Sequence, residues 1–195
     1  HLRVAGPAFA ALKARRRNLA GRTGCGLCGV EDLAQVERPL PRVGGAPPIP
    51  AASLRRAAEE LQQRQPFHAA TGGVHAAAWS SADGSILCVR EDIGRHNALD
   101  KLVGALVRRG TDFADGFALI TSRASFEMVQ KSATVGIRLL AAISAPTGMA
   151  IRAAERSGVA LAAFVRGDRY TLYSYPERVL PEGGGDASDG PQAAD

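Results

Sequence analysis

The chain's hydrophobic pattern changes character along its length. Residues 9–20 are helix-compatible and end in Arg15, Arg16 and Arg17. Residues 38–50 carry five prolines and two glycines, which predicts an irregular loop. Over 52–65, Leu54, Ala57, Ala58 and Leu61 recur at helical spacing, which predicts an amphipathic helix. From residue 75 onward, short apolar runs alternate with helical patterns. Strands are predicted at 75–79 and 86–90, joined by a turn at Asp83 and Gly84. Helix 97–109 repeats apolar residues at 98, 99, 102, 103, 106 and 107, with Gly110 placed to stop it. Strand 117–121, helix 125–135, strand 139–144 and helix 147–157 follow, with Gly136 and Gly158 ending the two helices. Strands 159–165 and 170–175 flank a turn at Gly167 and Asp168. The alternation predicts a layered α/β domain with a mixed, partly parallel sheet and flanking helices.

These elements divide the chain into three expected parts. Residues 1–50 form a linker with a flexible cysteine-containing loop, 51–178 the α/β domain, and 179–195 a disordered tail. The chain opens at His1 without an initiator methionine, so an amino-terminal part is expected to be missing. Its 195 residues, 46% hydrophobic, suffice for one core. No run approaches a membrane span and no signal-peptide pattern is present. The formal charge of +5 favours anionic ligands without arguing for DNA, and the few aromatics offer no platform for single-stranded nucleic acid.

Only three cysteines occur, which is no secreted disulfide framework. Cys25 and Cys28 stand three apart in Gly24-Cys25-Gly26-Leu27-Cys28-Gly29. Such a pair can hold a metal, shuttle electrons or carry sulfur. Arg22 and the triple arginine favour thiolates, the reactive form. A four-coordinate zinc site would need two further ligands, and His68 and His75 are seven apart. A thioredoxin-like site would end a strand and open a helix, whereas this pair precedes a proline-rich loop.

Four downstream turns carry polar residues suited to anions. Residues 90–101 contain Arg95, His96, Asn97, Asp100 and Lys101 at a strand-to-helix turn, with Asn97 or Asp92 as possible helix caps. Arg123 and Ser125 precede a helix carrying Glu127 and Lys131, and Ser144 to Thr147 precede another. The turn Phe164-Val165-Arg166-Gly167-Asp168-Arg169 holds two arginines able to grip phosphate in forked fashion. Each turn alone can be simple capping or a charged hairpin tip. The three strand-to-helix turns together, on one sheet edge, could line a pocket.

The cysteine run and residues 94–101, with supporting matches at 15–17, 71–77, 91–101, 122–131, 144–147 and 164–169, give the chain its family likeness. It resembles the FdhD family, the formate dehydrogenase accessory sulfurtransferases. Small departures fall at Thr121 and at Gly148-Met149. The resemblance implies a cytidine deaminase-like fold, a cytoplasmic homodimer and persulfide transfer. Sulfur would pass from a cysteine desulfurase through Cys25, helped by Cys28, to the molybdenum of bis-molybdopterin guanine dinucleotide, for formate dehydrogenase. It assigns cofactor binding to Phe164, Val165, Arg166, Gly167, Asp168 and Arg169. Further candidates are Arg123, Ser125, Lys131, Thr147, His75, His96, Asn97 and Lys101. Zinc deaminases carry His-x-Glu on a helix followed by Pro-Cys-x-x-Cys. Here Ala76 and Ala77 follow His75 and the cysteines precede it, so no resident metal is expected. The rival readings are a non-enzymatic cofactor chaperone and a zinc-binding deaminase-like protein.

Overall fold

The computed structural model describes residues 40–45 and 47–181, together with Gly6. In chain order the elements are β1 (Ile49–Pro50), α1 (Ala51–Gln63), α2 (Pro66–Thr71), β2 (His75–Ser81), β3 (Ile86–Asp92) and α3 (Arg95–Arg108). Then come β4 (Gly116–Ile120), α4 (Phe126–Val135), β5 (Leu139–Ala142), α5 (Gly148–Ser157), β6 (Ala160–Arg166), β7 (Arg169–Ser174) and β8 (Val179–Leu180).

Six strands form one mixed sheet in the order β3-β2-β4-β5-β6-β7. The central β4, β5 and β6 are parallel. Their connections run through α4 and α5, as parallel neighbours require. The hairpins β2–β3 and β6–β7 add antiparallel strands at both edges. Leu87 is an extra residue in β3, because Trp79 pairs with Cys88 but Ser80 pairs with Ile86. Such a bulge twists an edge strand away from flat pairing.

Strand alternation makes the layers. Ala76, Ala78, Phe117, Leu119, Ala141 and Ala162 pack in one cluster with Leu54, Ala57 and Leu61 of α1. Their neighbours Ala77, Trp79, Ala118, Ile120 and Leu140 are equally buried and point to the opposite face. There α3 packs on β2 and β3, and α3, α4 and α5 lie side by side. The many alanines let helices approach the sheet closely. At Gly116 the approach is closest, since a Cβ would lie 2.0 Å from the Ser80 carbonyl oxygen.

The expected α/β architecture is therefore observed, with additions. The short helix α2 was not legible from the pattern. Ile49 and Pro50 of the expected linker pair in parallel with Val179 and Leu180 of the expected tail.

Candidate functional site

Strand direction gathers the four polar turns on one edge. The parallel strands β4, β5 and β6 all end there. β2 begins there at His75, opposite Asp92, the last residue of β3. β7 begins there at Arg169, opposite Arg166 of β6. Ligand sites in α/β sheets form at this kind of edge, where strands end and helices begin.

Backbone bonds tie the turns into a row. Ala124 and Pro146 form a parallel bridge between the turns that enter α4 and α5. Ala124 N–H donates to Ala145 O at 3.1 Å and Thr147 N–H to Ala124 O at 2.9 Å. The β6–β7 hairpin joins through Phe164 N–H to Ser144 O and Arg166 Nε to Ile143 O. At the other end, Lys131 of α4 binds both carboxylate oxygens of Asp100 on α3 at 2.6 and 2.8 Å.

At the start of α3, Gly94 is the N-cap residue and no side chain caps the helix. Asp92 holds the turn instead. Its Oδ1 accepts from Gly94 N–H at 2.9 Å and Asn97 Nδ2 at 3.1 Å, and its Oδ2 binds Lys101 Nζ. These bonds, with Lys101 foremost, pull the Asp92 pKa down to about 2. Ser125 at the N-cap of α4 also makes no cap bond, and its hydroxyl donates to Glu127 Oε2 at 2.7 Å. Thr147 does cap α5, accepting from Ala150 N–H.

The expected site residues thus separate by what they touch. Lys101, Lys131, Asn97, Ser125 and Thr147 are engaged in internal bonds. Val165 is buried in the core and Asp168 pairs with Arg55 at 2.7 Å. Arg123 and Arg169 are exposed and have no partner among the described residues. Arg166 is exposed and uses only Nε internally. Phe164 has φ 55, an unusual conformation for a bulky side chain, and is 42% exposed.

His75 and His96 occupy the α3 end of the row. Burial, and then the Arg95 guanidinium, lower both pKa values, so both rings are neutral at neutral pH. Arg95 and Glu127 were not among the expected site residues. Glu127 is only 8% exposed, and its Oε2 lies 3.9 Å from His96 Nε2. Arg95 Nε, His96 Nε2 and Glu127 Oε1 are buried without hydrogen-bond partners among the described residues, a concentration of unmet polar groups at the first turns of α3 and α4. The acidic residue in the first turn of α4 was the only sequence signal for Glu127. Cys25 and Cys28 lie outside the described residues, as do Arg15, Arg16 and Arg17. Among the described residues, no group of three or more His, Cys, Asp or Glu is placed to hold a metal.

This geometry can be set beside known proteins. The FdhD/NarQ family model matches residues 2–180. The chain belongs to the FdhD/NarQ family. It is 55% identical over 178 residues to a protein of Variovorax paradoxus named sulfur carrier protein FdhD, covering 91% of this chain and 64% of the relative. A protein of the same name from Bordetella petrii is 55% identical over 170 residues, covering 87% of this chain and 61% of the relative. The chain therefore spans a little over three fifths of the length of these curated relatives. Among solved structures, a chain described as a formate dehydrogenase accessory protein of Desulfotalea psychrophila superposes with a TM-score of 0.66. It is 28% identical and covers 72% of this chain and 62% of its own length.

Proposed function

We propose that this FdhD/NarQ member is a sulfur carrier. It takes persulfide sulfur from a cysteine desulfurase and delivers it to the molybdenum of bis-molybdopterin guanine dinucleotide, which then enters formate dehydrogenase. The names of the relatives support sulfur carriage, and the description of the structural neighbour supports a formate dehydrogenase client. No helix among the described residues is long and apolar enough to cross a membrane. A cytoplasmic homodimer is part of the same reading.

The observation that carries the proposal is the row of turns with the guanidinia of Arg123 and Arg169, unpaired among the described residues, beside Arg166 and the exposed Phe164. Guanidinia fork onto phosphate oxygens, and an exposed aromatic ring stacks on a heterocycle. In this reading nucleotide phosphates bind at the hairpin end, and the reacting end of the cofactor faces neutral His75 and His96. Lys131 and Lys101 shape the row through Asp100 and Asp92.

The transfer balances in two steps. Cys25 thiolate attacks the terminal sulfur of the donor persulfide, and the donor cysteine thiolate leaves. Cys28 thiolate then attacks Cys25 Sγ, the sulfur–sulfur bond breaks, and sulfide leaves for molybdenum. A Cys25–Cys28 disulfide remains, and a cellular dithiol reduces it by exchange. Intact-mass analysis after incubation with a desulfurase and cysteine is expected to show one added sulfur, absent from Cys25→Ala. The same adduct on Cys25→Ala would overturn the assignment.

A further inference from the structure

A cleft opens between α2, β3 and α3, at the β3 edge of the sheet. Its volume is about 710 Å³. We propose that it receives an acidic amphipathic helix from a partner protein.

Charge is the first argument. Arg64, Arg90, Lys101 and Arg108 line the cleft, with Glu91 as the only acid in its wall. Glu91 is already engaged, because its carboxylate accepts from the backbone N–H groups of Phe67 at 3.0 Å and His68 at 2.8 Å. Arg64 pairs with Glu60, and Lys101 with Asp92. Arg90 donates only to the Val89 carbonyl oxygen, and Arg108 has no partner among the described residues. Two guanidinia therefore flank the cleft without a carboxylate among the described residues.

The second argument is the apolar surface between them. α2 buries none of its side chains, yet Glu91 fixes its first turn. Phe67 consequently stands 66% exposed at the rim. Pro66 and Val89 line the cleft beside it. Gly104 and Ala105 of α3 form a shallow wall. A Cβ on Gly104 would meet nothing within 4 Å, so no internal packing requires glycine there. Glycine within a helix is destabilising relative to alanine. Its effect at this position is to keep the wall flat for a close neighbour.

The third argument selects the form of the partner. An added strand would need the outer backbone of β3. Glu60 already accepts from Ile86 N–H, Arg64 donates to Ile86 O, and Lys101 donates to Glu91 O. Side chains thus occupy much of that edge. A helix needs no free backbone groups, and it can lay apolar residues on Phe67 and Gly104 while its carboxylates reach Arg90 and Arg108. The inference does not rest on the sulfur-transfer reading, because charge, shape and edge blocking stand without it.

The test uses the full chain and a fluorescein-labelled peptide of glutamate, alanine and leucine, with leucines at helical spacing. The control peptide has lysine in place of glutamate. Fluorescence anisotropy is expected to show salt-sensitive binding of the acidic peptide and none of the basic one. Arg108→Glu and Gly104→Leu are each expected to weaken binding about tenfold or more. Gly104→Leu should melt no lower than the parent, since leucine is the better helix former, so its loss of binding is not misfolding. Equal binding of both peptides overturns the proposal, as does parental affinity in Arg108→Glu or Gly104→Leu. If pyrophosphate displaces the peptide while Phe67→Ala and Gly104→Leu change nothing, the cleft is a bare anion site and the proposal fails.

Discussion

Asp92→Asn tests how the candidate site is held together. The parent carboxylate receives Gly94 N–H, Asn97 Nδ2 and Lys101 Nζ, and thereby fixes the entry to α3. A carboxyl group held at about 2 instead of 3.8 has its ionised form favoured by roughly 2.5 kcal/mol. That figure is an upper bound. The Lys101 side chain is 51% exposed and the Asp92 side chain 19%, and solvent screens such a pair, leaving about 1 kcal/mol. Asparagine can still accept from Gly94 but gives Lys101 no charge. Because the folded pKa is lowered, the stabilisation is complete above pH 4 and fades as pH falls towards 2. Urea unfolding at neutral pH is expected to show Asp92→Asn less stable by about 1 kcal/mol. The gap should close as pH falls through that window. Lys101→Met should remove most of the gap at neutral pH. A gap that persists unchanged near pH 2, or that survives in the Lys101→Met background, would refute the reasoning.

Two further substitutions probe the hairpin and the sheet. Phe164→Gly removes the exposed ring but also relieves a left-handed conformation that costs a non-glycine residue about 1–2 kcal/mol. Its stability is expected to stay within about 1 kcal/mol of the parent, while calorimetry should show guanosine diphosphate binding about tenfold weaker. Unchanged binding would show that the ring is not a ligand platform. Gly116→Ala places a methyl group 2.0 Å from the Ser80 carbonyl oxygen and 3.0 Å from the Trp79 ring. Both neighbours are fixed in the core, so a loss of about 3 kcal/mol or more is expected. A parental melting temperature would show that β4 can move off β2 freely.

Legibility in the sequence follows the range of the forces involved. The central strands and α1, α3, α4 and α5 were readable because each buries one face, and burial imposes a period. Boundaries slipped where tertiary bonds decide them. Helix α3 begins at Arg95, two residues before its predicted start, because the grip of Asp92 turns the chain earlier. α2 was invisible because it buries nothing and so has no apolar period. The pairing of Ile49 with Val179 joins residues far apart in the chain, with too few positions to leave a pattern. The polar turns were readable as turns, but which of their side chains remain available was not. Lys131 resembles an anion ligand in sequence, and only the packing of α4 against α3 shows it holding Asp100. Nothing in the spacing of His96 and Glu127 announces that they meet.

The division of labour among the cations gives the proposed ligand edge a rigid base. Both described lysines of the domain, Lys101 and Lys131, are paired with carboxylates of α3 or the strand preceding it. A lysine satisfied in this way clips two elements together and leaves little charge for a ligand. The arginines Arg123, Arg166 and Arg169 lie beyond those clips, on turns already locked by backbone bonds among Ala124, Ala145, Ser144 and Phe164. Their bases are fixed and no carboxylate among the described residues pairs with their guanidinia, so the proposed anion would meet a low ordering cost. Lys101 also lines the cleft beside α2, so the clip at Asp92 is shared by the edge and the cleft. Disturbing Asp92 should therefore move two surfaces at once. Disturbing Arg169 should move only one, and measuring both binding activities in each variant separates a shared support from two independent sites.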